Sequence, residues 1–211
     1  AMIPVNRPKI YPDIHEYVNR AINSGWLSSE GPMVEEFEKK FARYIGVKYA
    51  TSTNSGTTAL HLALLTLGIN KGDEVLVPAL TIASCYFAVW YTGASAVPVD
   101  IDPETYTIDP KEIEKKITKR TRAIMPVHLY GHPCDMDSIL KLARAYKLKV
   151  IEDAAEAHGA EYKDKKVGAI GDVGCFSFYA NKIVTCGEGG MLVTNNKNYY
   201  DLACKLKNLN H

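Results

Sequence analysis

The residues that could do chemistry centre on Lys182, which follows the stretch 175–181 and precedes the glycine-rich turn 187–190. A lysine amine shielded from water loses its proton more readily and becomes a nucleophile toward an aldehyde. The segment is predicted to be buried because of four apolar neighbours: Phe176, Phe178, Ile183 and Val184. A buried lysine usually has a chemical reason, whereas the ordinary alternative is a solvated surface charge. The pattern favours Schiff-base chemistry at Lys182.

A carboxylate follows the apolar strand predicted at 148–152. Asp153 could cap a helix, but strand ends are also where open α/β sheets place ligands, and its charge suits a protonated pyridine nitrogen. Glu156 could reach the phenolic oxygen of such a ring if one helical turn follows, with a surface carboxylate as the alternative. Together, Lys182 and Asp153 predict pyridoxal phosphate as the cofactor.

The stretch Asn54-Ser-Gly-Thr-Thr58 precedes an apolar helix and could bind the cofactor phosphate. Glycine lets an anion approach the backbone, and a helix N-terminus offers free N–H groups. Taken alone, a plain helix cap is the stronger interpretation of Gly56 and Thr57. Ser177 could donate to the same phosphate or be an ordinary strand serine. No Gly-x-Gly-x-x-Gly or Walker sequence supports a dinucleotide or ATP site.

Composition excludes several other classes of protein. The 25 basic and 24 acidic residues give a formal net charge of +1, without a basic block, so nucleic acid is not an expected partner. The apolar runs are too short to span a membrane. The five cysteines form no Cys-x-x-Cys and do not pair with histidines at ligand spacing, so we expect no metal and a cytoplasmic protein.

Hydrophobic periodicity predicts alternating helices and strands that must position these residues. We expect helices at 12–23, 34–44, 59–67, 82–92, 110–117, 136–146 and 197–207. We expect strands at 74–78, 96–99, 122–127, 148–152, 174–178 and 190–194. Short buried strands between helices predict an α/β fold with a mostly parallel sheet covered on both faces.

The combination and order of these motifs resembles the DegT/DnrJ/EryC1/StrS sugar aminotransferases. The matching stretches are 25–29, 55–60, 72–78, 127–131, 151–159 and 176–190. The resemblance implies the large domain of the aspartate aminotransferase fold (fold type I) over residues 31–211, preceded by an arm and helix in 1–30. It also implies a homodimer, and a small C-terminal domain that this chain lacks.

The resemblance implies a role for each candidate residue. In this assignment, Lys182 bonds to the cofactor aldehyde, Asp153 holds the pyridine nitrogen, Glu156 lies near the phenolic oxygen, and Ser177 binds the phosphate with the Gly56 and Thr57 backbone. His128 and His158 also fall in matching stretches, where structural hydrogen bonding is the expected role. Many relatives have an aromatic residue that stacks on the cofactor at the position of Ile82, so no stacking ring is assigned.

Substrates are likewise implied by the resemblance. The stretch 131–136 and Glu156 are most similar to family members that make perosamine, which indicates L-glutamate as donor and GDP-4-keto-6-deoxy-mannose as acceptor. A UDP- or dTDP-linked ketosugar is one alternative, and a truncated or non-catalytic cofactor-binding protein is another. Related sugar dehydratases have histidine at the position of Lys182, and the lysine argues against that activity.

Overall fold

The computed structural model describes residues 8–208 of the 211-residue chain. The helices are α1 (Ile14–Ser24), α2 (Pro32–Ile45), α3 (Gly56–Thr66), α4 (Ala83–Tyr91), α5 (Pro110–Lys116), α6 (Met136–Tyr146) and α7 (Lys197–Lys207). The strands are β1 (Tyr49–Thr53), β2 (Glu74–Pro78), β3 (Ser95–Val99), β4 (Thr121–Ile124), β5 (Lys149–Asp153), β6 (Glu161–Tyr162), β7 (Lys165–Lys166), β8 (Val173–Ser177) and β9 (Gly190–Thr194).

A seven-stranded sheet forms the centre, in the order β1-β9-β8-β5-β4-β2-β3. The five strands from β8 to β3 run parallel, whereas β9 pairs antiparallel with both β8 and β1. Pro98 lies in the edge strand β3, a position where its missing N–H does not interrupt a ladder. The prediction of a mostly parallel sheet is therefore confirmed.

Helices cover both faces of the sheet because the strands carry apolar side chains on each side. On one face, Val75, Ile151 and Cys175 belong to a buried cluster that includes α3, α4 and Ala203 of α7. On the other face, two clusters join alternate strand residues to α2 and to α5 and α6. Helix α3 is apolar nearly all round, as expected for a helix buried between the sheet and other helices.

The structure confirms the predicted helices and main strands to within three residues at each end, and adds elements that the pattern missed. The edge strand β1 is one of these, and the short β6–β7 hairpin is the other. Helix α1 buries none of its residues. The boundary predicted at residue 30 stays a prediction. In the described part of the chain, no helix has the length and apolarity needed to cross a membrane.

Candidate active site

The ends of two neighbouring parallel strands bring two of the predicted site residues to one edge of the sheet. Asp153 is the last residue of β5, and Ser177 is the last residue of β8. The strands pair with Asp153 opposite Cys175, so both chains leave the sheet on the same side. This is the carboxyl edge at which open α/β sheets place their ligands.

The N-terminus of α3 lies against the end of β8 and leaves backbone N–H groups free for a ligand. A Cβ added to Gly56 would lie 2.8 Å from the Cβ of Ser177, so the close approach requires glycine. Ser55 and Thr58 form a capping box, in which the Ser55 Oγ accepts the Thr58 N–H at 3.2 Å. The N–H groups of Gly56 and Thr57 come first in the helix and have no carbonyl partner within it. A phosphate suits such a position.

Lys182 lies in the turn that follows β8, and its side chain is only 13% exposed. Its Nζ donates to the Glu156 Oε1 at 3.1 Å. The other oxygen of Glu156 accepts the backbone N–H of Tyr130 at 3.0 Å. Tyr130 has a left-handed backbone (φ 52°, ψ 25°), which is uncommon for an aromatic residue and marks the loop as constrained. Glu156 therefore holds both the lysine and this loop.

Asp153 is buried beside the lysine and not on the surface. Its Oδ2 accepts from the Cys85 Sγ at 3.1 Å, and its Oδ1 accepts from the Ala155 backbone N–H at 3.0 Å. Burial raises the pKa of the Asp153 carboxyl above its ordinary value, and the Cys85 and Ala155 hydrogen bonds oppose that rise. A buried carboxylate of this kind would gain from a cationic partner.

Two adjoining clefts connect these groups. The first has a volume of about 290 Å³ and a wall that includes five of the residues already described: Ser55, Gly56, Thr57, Ser177 and Lys182. The second has a volume of about 240 Å³ and is lined by Tyr130, Glu156 and Lys182 among others. Ile82, Ala155 and Lys182 line both clefts. Asp153 does not line either cleft but lies two residues before Ala155, which does.

The residues of the two clefts fit pyridoxal phosphate. Hydroxyl and N–H donors converge at one end, a shielded amine lies between the clefts, and a buried carboxylate lies beside them. A larger cleft of about 470 Å³ occurs elsewhere and has an acidic wall that includes Asp102, Asp109 and Asp135. Lys111 and His132 also line that cleft, but its three carboxylates would repel a phosphate, so the two clefts around Lys182 are the better candidates.

One local prediction around the site is wrong, and the condition attached to another is not met. Ile183 and Val184 are 68% and 47% exposed, although Phe176 and Phe178 are buried as expected. Lys182 is shielded because its side chain turns back toward Glu156, and not because the whole segment is buried. Residues 154–160 form turns without a helix, so Glu156 reaches Lys182 without the helical turn that its predicted role presupposed.

The two histidines of the matching stretches differ. His128 is fully buried, with Nε2 3.0 Å from the Glu152 Oε2 and Nδ1 accepting the Cys134 backbone N–H at 3.1 Å, as expected of a structural hydrogen-bonding residue. His158 has no well-formed hydrogen bond at either ring nitrogen within residues 8–208, although the nearby Ser177 backbone favours its protonated ring, so a structural hydrogen-bonding role for it stays a prediction. Its ring packs against Phe176 and Phe178 at centroid distances of 5.3 and 5.4 Å.

Sequence reasoning missed several residues of the site. Ser84 lines the first cleft, and its Oγ accepts a hydrogen bond from the Thr57 hydroxyl at 3.0 Å. Cys85, which contacts Asp153, lies one residue later at the start of α4. The stretch Pro78-Ala-Leu-Thr81 could have indicated these two residues. It connects a strand end to the helix that carries them, and such loops are where cleft residues are expected.

A comparison with known proteins decides the family. Residues 8–210 match the sequence profile of the DegT/DnrJ/EryC1/StrS aminotransferase family, which is nearly the whole chain. The chain belongs to this family. Its aminotransferases depend on pyridoxal phosphate, so the family and cofactor predictions are confirmed at this level. The roles assigned to individual residues of this chain stay predictions.

Individual members of the family show how far the similarity extends. GDP-perosamine synthase of Escherichia coli O157:H7 is 53% identical over 205 residues, which cover 97% of this chain and 56% of that protein. The solved aminotransferase from Psychrobacter cryohalolentis is 40% identical with a TM-score of 0.91, covering 96% of this chain and 52% of that one. Spr1654 from Streptococcus pneumoniae, solved in its PLP form, is 32% identical with a TM-score of 0.90 over 97% of this chain and 57% of that one.

These matches confirm the aspartate aminotransferase fold for this member of the family. The chain spans only about half the length of the relatives that it matches.

Proposed function

We propose that the protein is a pyridoxal-phosphate-dependent aminotransferase that moves an amino group from L-glutamate to a nucleotide-linked 4-keto-6-deoxy sugar. The arrangement of Lys182 between a phosphate-binding helix end and a buried Asp153 supports the reaction type. The 53% identity to GDP-perosamine synthase supports GDP-4-keto-6-deoxy-mannose as the acceptor. UDP- and dTDP-linked ketosugars are the alternative acceptors.

When bound, pyridoxal phosphate supplies an aldehyde that reacts with amines and a ring that withdraws electrons from the adjacent carbon. In this assignment, Gly56, Thr57 and Ser177 donate hydrogen bonds to the phosphate. The Asp153 carboxylate holds the positive charge of the ring nitrogen. The Lys182 amine would hold the aldehyde, and as a free amine it would move the proton of the donor's α-carbon. Glu156, which pairs with Lys182, would lie near the phenolic oxygen.

The exposed face of α4 supports a second copy of the chain as partner. Phe87 and Trp90 are in ring contact at 5.7 Å and are 43% and 54% exposed, and Tyr91 is more exposed still. Aromatic rings exposed together are a frequent feature of protein interfaces. We propose that the homodimer contact lies on this face of α4.

Borohydride reduction of the protein with pyridoxal phosphate, followed by peptide mass mapping, tests the cofactor and its lysine together. We expect a phosphopyridoxyl adduct on Lys182, none in Lys182→Ala, and no amination by that variant. Lys207→Ala is a matched control, because Lys207 is 17% exposed and also pairs with a glutamate, Glu38, at 3.0 Å. An adduct on another lysine, or appreciable amination by Lys182→Ala, would contradict the assignment.

Acceptor specificity needs a separate measurement. GDP-, UDP- and dTDP-linked 4-keto-6-deoxy sugars would each be supplied with L-glutamate, and the release of 2-oxoglutarate would be followed. We expect the highest kcat/KM with the GDP-linked sugar. A higher kcat/KM with the UDP- or dTDP-linked sugar would contradict the proposed acceptor but not the proposed reaction type.

A further inference from the structure

A short chain of hydrogen bonds leads from the second cleft to Asp153. Cys85 is fully buried in the first turn of α4, with its Sγ 3.1 Å from the Asp153 Oδ2. On its other side, the same sulfur lies 3.2 Å from the Oγ1 of Thr81, four residues earlier. Thr81 lines the cleft that Glu156 and Lys182 also line. The thiol thus connects a cleft residue to the buried carboxylate.

The direction of these hydrogen bonds follows from the protonation of the thiol. Burial, with the nearby Asp153 charge, raises the pKa of Cys85 well above its ordinary value, so the sulfur keeps its proton. A thiol has one proton to donate, and the carboxylate can only accept. Cys85 therefore donates to Asp153, and the Thr81 hydroxyl donates to the sulfur.

Two donors on different oxygens hold the carboxylate in one orientation. Cys85 occupies Oδ2, and the Ala155 N–H occupies Oδ1. An ionised carboxylate offers roughly four acceptor positions, so about two remain for another donor. The backbone donor is present whatever residue stands at 85, whereas the thiol is a property of this side chain.

We propose that Cys85 is a positioning residue for Asp153: with Thr81, it fixes the carboxylate and stabilises its charged form in a buried setting. The proposal rests on the proposed function in one respect, since the fixed carboxylate is of catalytic use only if it meets the ring nitrogen. Without the thiol, burial favours a neutral Asp153, which cannot balance a positive ring.

The first experiment needs no cofactor. The Asp153 carboxyl would be titrated by carbon-13 NMR in the cofactor-free protein and in four variants: Cys85→Ala, Cys85→Ser, Thr81→Val and Cys175→Ala. Cys175 is the matched control, because it is equally buried and lies opposite Asp153 in the next strand, but its thiol makes no hydrogen bond within residues 8–208.

We expect Cys85→Ala to raise the pKa of Asp153, because a donor to the charged form is lost. Cys85→Ser restores a donor and should keep the pKa at or below the wild-type value. Thr81→Val should raise the pKa of Asp153 as well, by a smaller amount. This variant replaces Cys85→Ala in the test if Cys85→Ala does not fold. An unchanged pKa in both Cys85→Ala and Thr81→Val, or an equal change in Cys175→Ala, would overturn the proposal.

The second experiment uses protein loaded with pyridoxal phosphate. The absorbance of the bound cofactor would be measured as a function of pH. The rate at which the protein loses the cofactor would be measured by dialysis. We expect Cys85→Ala to shift the absorbance titration and to lose cofactor about 3- to 10-fold faster, with Cys85→Ser close to wild type. If the carboxyl titration responds to Cys85 but neither Cys85→Ala nor Asp153→Asn alters the absorbance, the hydrogen bond stands and the ring-nitrogen role of Asp153 fails.

Discussion

The charge on Asp153 lies inside the fold, where it is held by two hydrogen bonds and lacks a cationic side chain at contact distance within the described residues. Burying a carboxylate in this way is costly unless a positive group completes the site. The charges of His128 and Lys182 favour the ionised carboxyl from a distance, but the Lys182 amine is paired with Glu156. The arrangement therefore leaves Asp153 available for a cationic ligand.

Asp153→Asn tests this availability. The amide has nearly the same shape but cannot balance a positive ring nitrogen, so we expect exchange of the α-proton of L-glutamate in deuterium oxide to slow by orders of magnitude. Asp102→Asn, in the larger acidic cleft, is the control and should exchange at the wild-type rate. Unchanged exchange in Asp153→Asn would show that the ring nitrogen is not held there.

His158 predicts a pH dependence of stability. Burial lowers its pKa to about 4, an effect that the Ser177 backbone partly opposes. Below the unfolded pKa of about 6.5, the unfolded chain binds a proton that the folded chain refuses, so stability is lost as pH falls from about 6.5 toward 4.

The loss attributable to His158 should be about 2 kcal/mol between pH 7.5 and pH 5. Urea unfolding at the two pH values would measure it. His158→Phe keeps an aromatic ring beside Phe176 and Phe178 but has no group that titrates. Between pH 7.5 and pH 5, its free energy of unfolding should therefore fall by about 2 kcal/mol less than that of the wild type. An equal fall in the variant would assign the pH dependence to other groups.

At the scale of elements, the site depends on how α3 approaches the ends of β8 and β9. A Cβ on Gly190, the first residue of β9, would lie 2.1 Å from the Ser55 carbonyl oxygen, and one on Gly56 would meet Ser177. These two contacts fix the start of the helix against the sheet. The donors at its N-terminus are therefore placed by close backbone packing.

Removing the cap of α3 should separate its structural and binding roles. Ser55→Ala loses the capping box and should lower the free energy of unfolding by about 1 kcal/mol. Asn196→Ala, which removes the cap of α7, should cost a similar amount, since Asn196 accepts the N–H groups of Asn198 and Tyr199. Only Ser55→Ala should weaken pyridoxal phosphate binding in a fluorescence titration. Equal weakening in both would mean that the phosphate lies elsewhere.

At the scale of the whole molecule, apolar surface is unevenly distributed. Helix α1 buries none of its residues, and Ile14, Val18 and Ile22 are exposed along it. The aromatic face of α4 is exposed as well. Exposed apolar surfaces of this kind frequently mark the sites at which another surface binds.

The dimer proposal places the partner on α4, and charge on that face should disrupt it. Trp90→Lys introduces an ammonium into the patch with Phe87, so we expect a shift from dimer to monomer in analytical ultracentrifugation. Tyr146→Lys is the control, because Tyr146 is similarly exposed at the end of α6, beside Glu114. A dimer that survives Trp90→Lys would place the contact on another surface.

The sequence by itself determined most of the elements and indicated the main residues that are proposed for the site. The period of apolar residues located α6 and α7 to the residue, because helix periodicity is a local property. Lys182, Asp153 and Ser177 were found because strand ends and a glycine-rich turn have recognisable patterns. Strand β1 was missed because its Tyr-Ala-Thr-Ser-Thr sequence has little apolar alternation and its partner β9 lies far along the chain.

Only the tertiary structure decided which side chains meet. Cys85 and Asp153 are 68 positions apart, and no local pattern brings a thiol to a carboxylate. Ile183 and Val184 are apolar yet exposed, because the turn that carries Lys182 inward turns them outward. His158 lies among phenylalanines because the rings that surround it come from two separate segments, α2 and the end of β8. Burial and pairing depend on distant parts of the chain, so they follow from the fold and not from the order of residues.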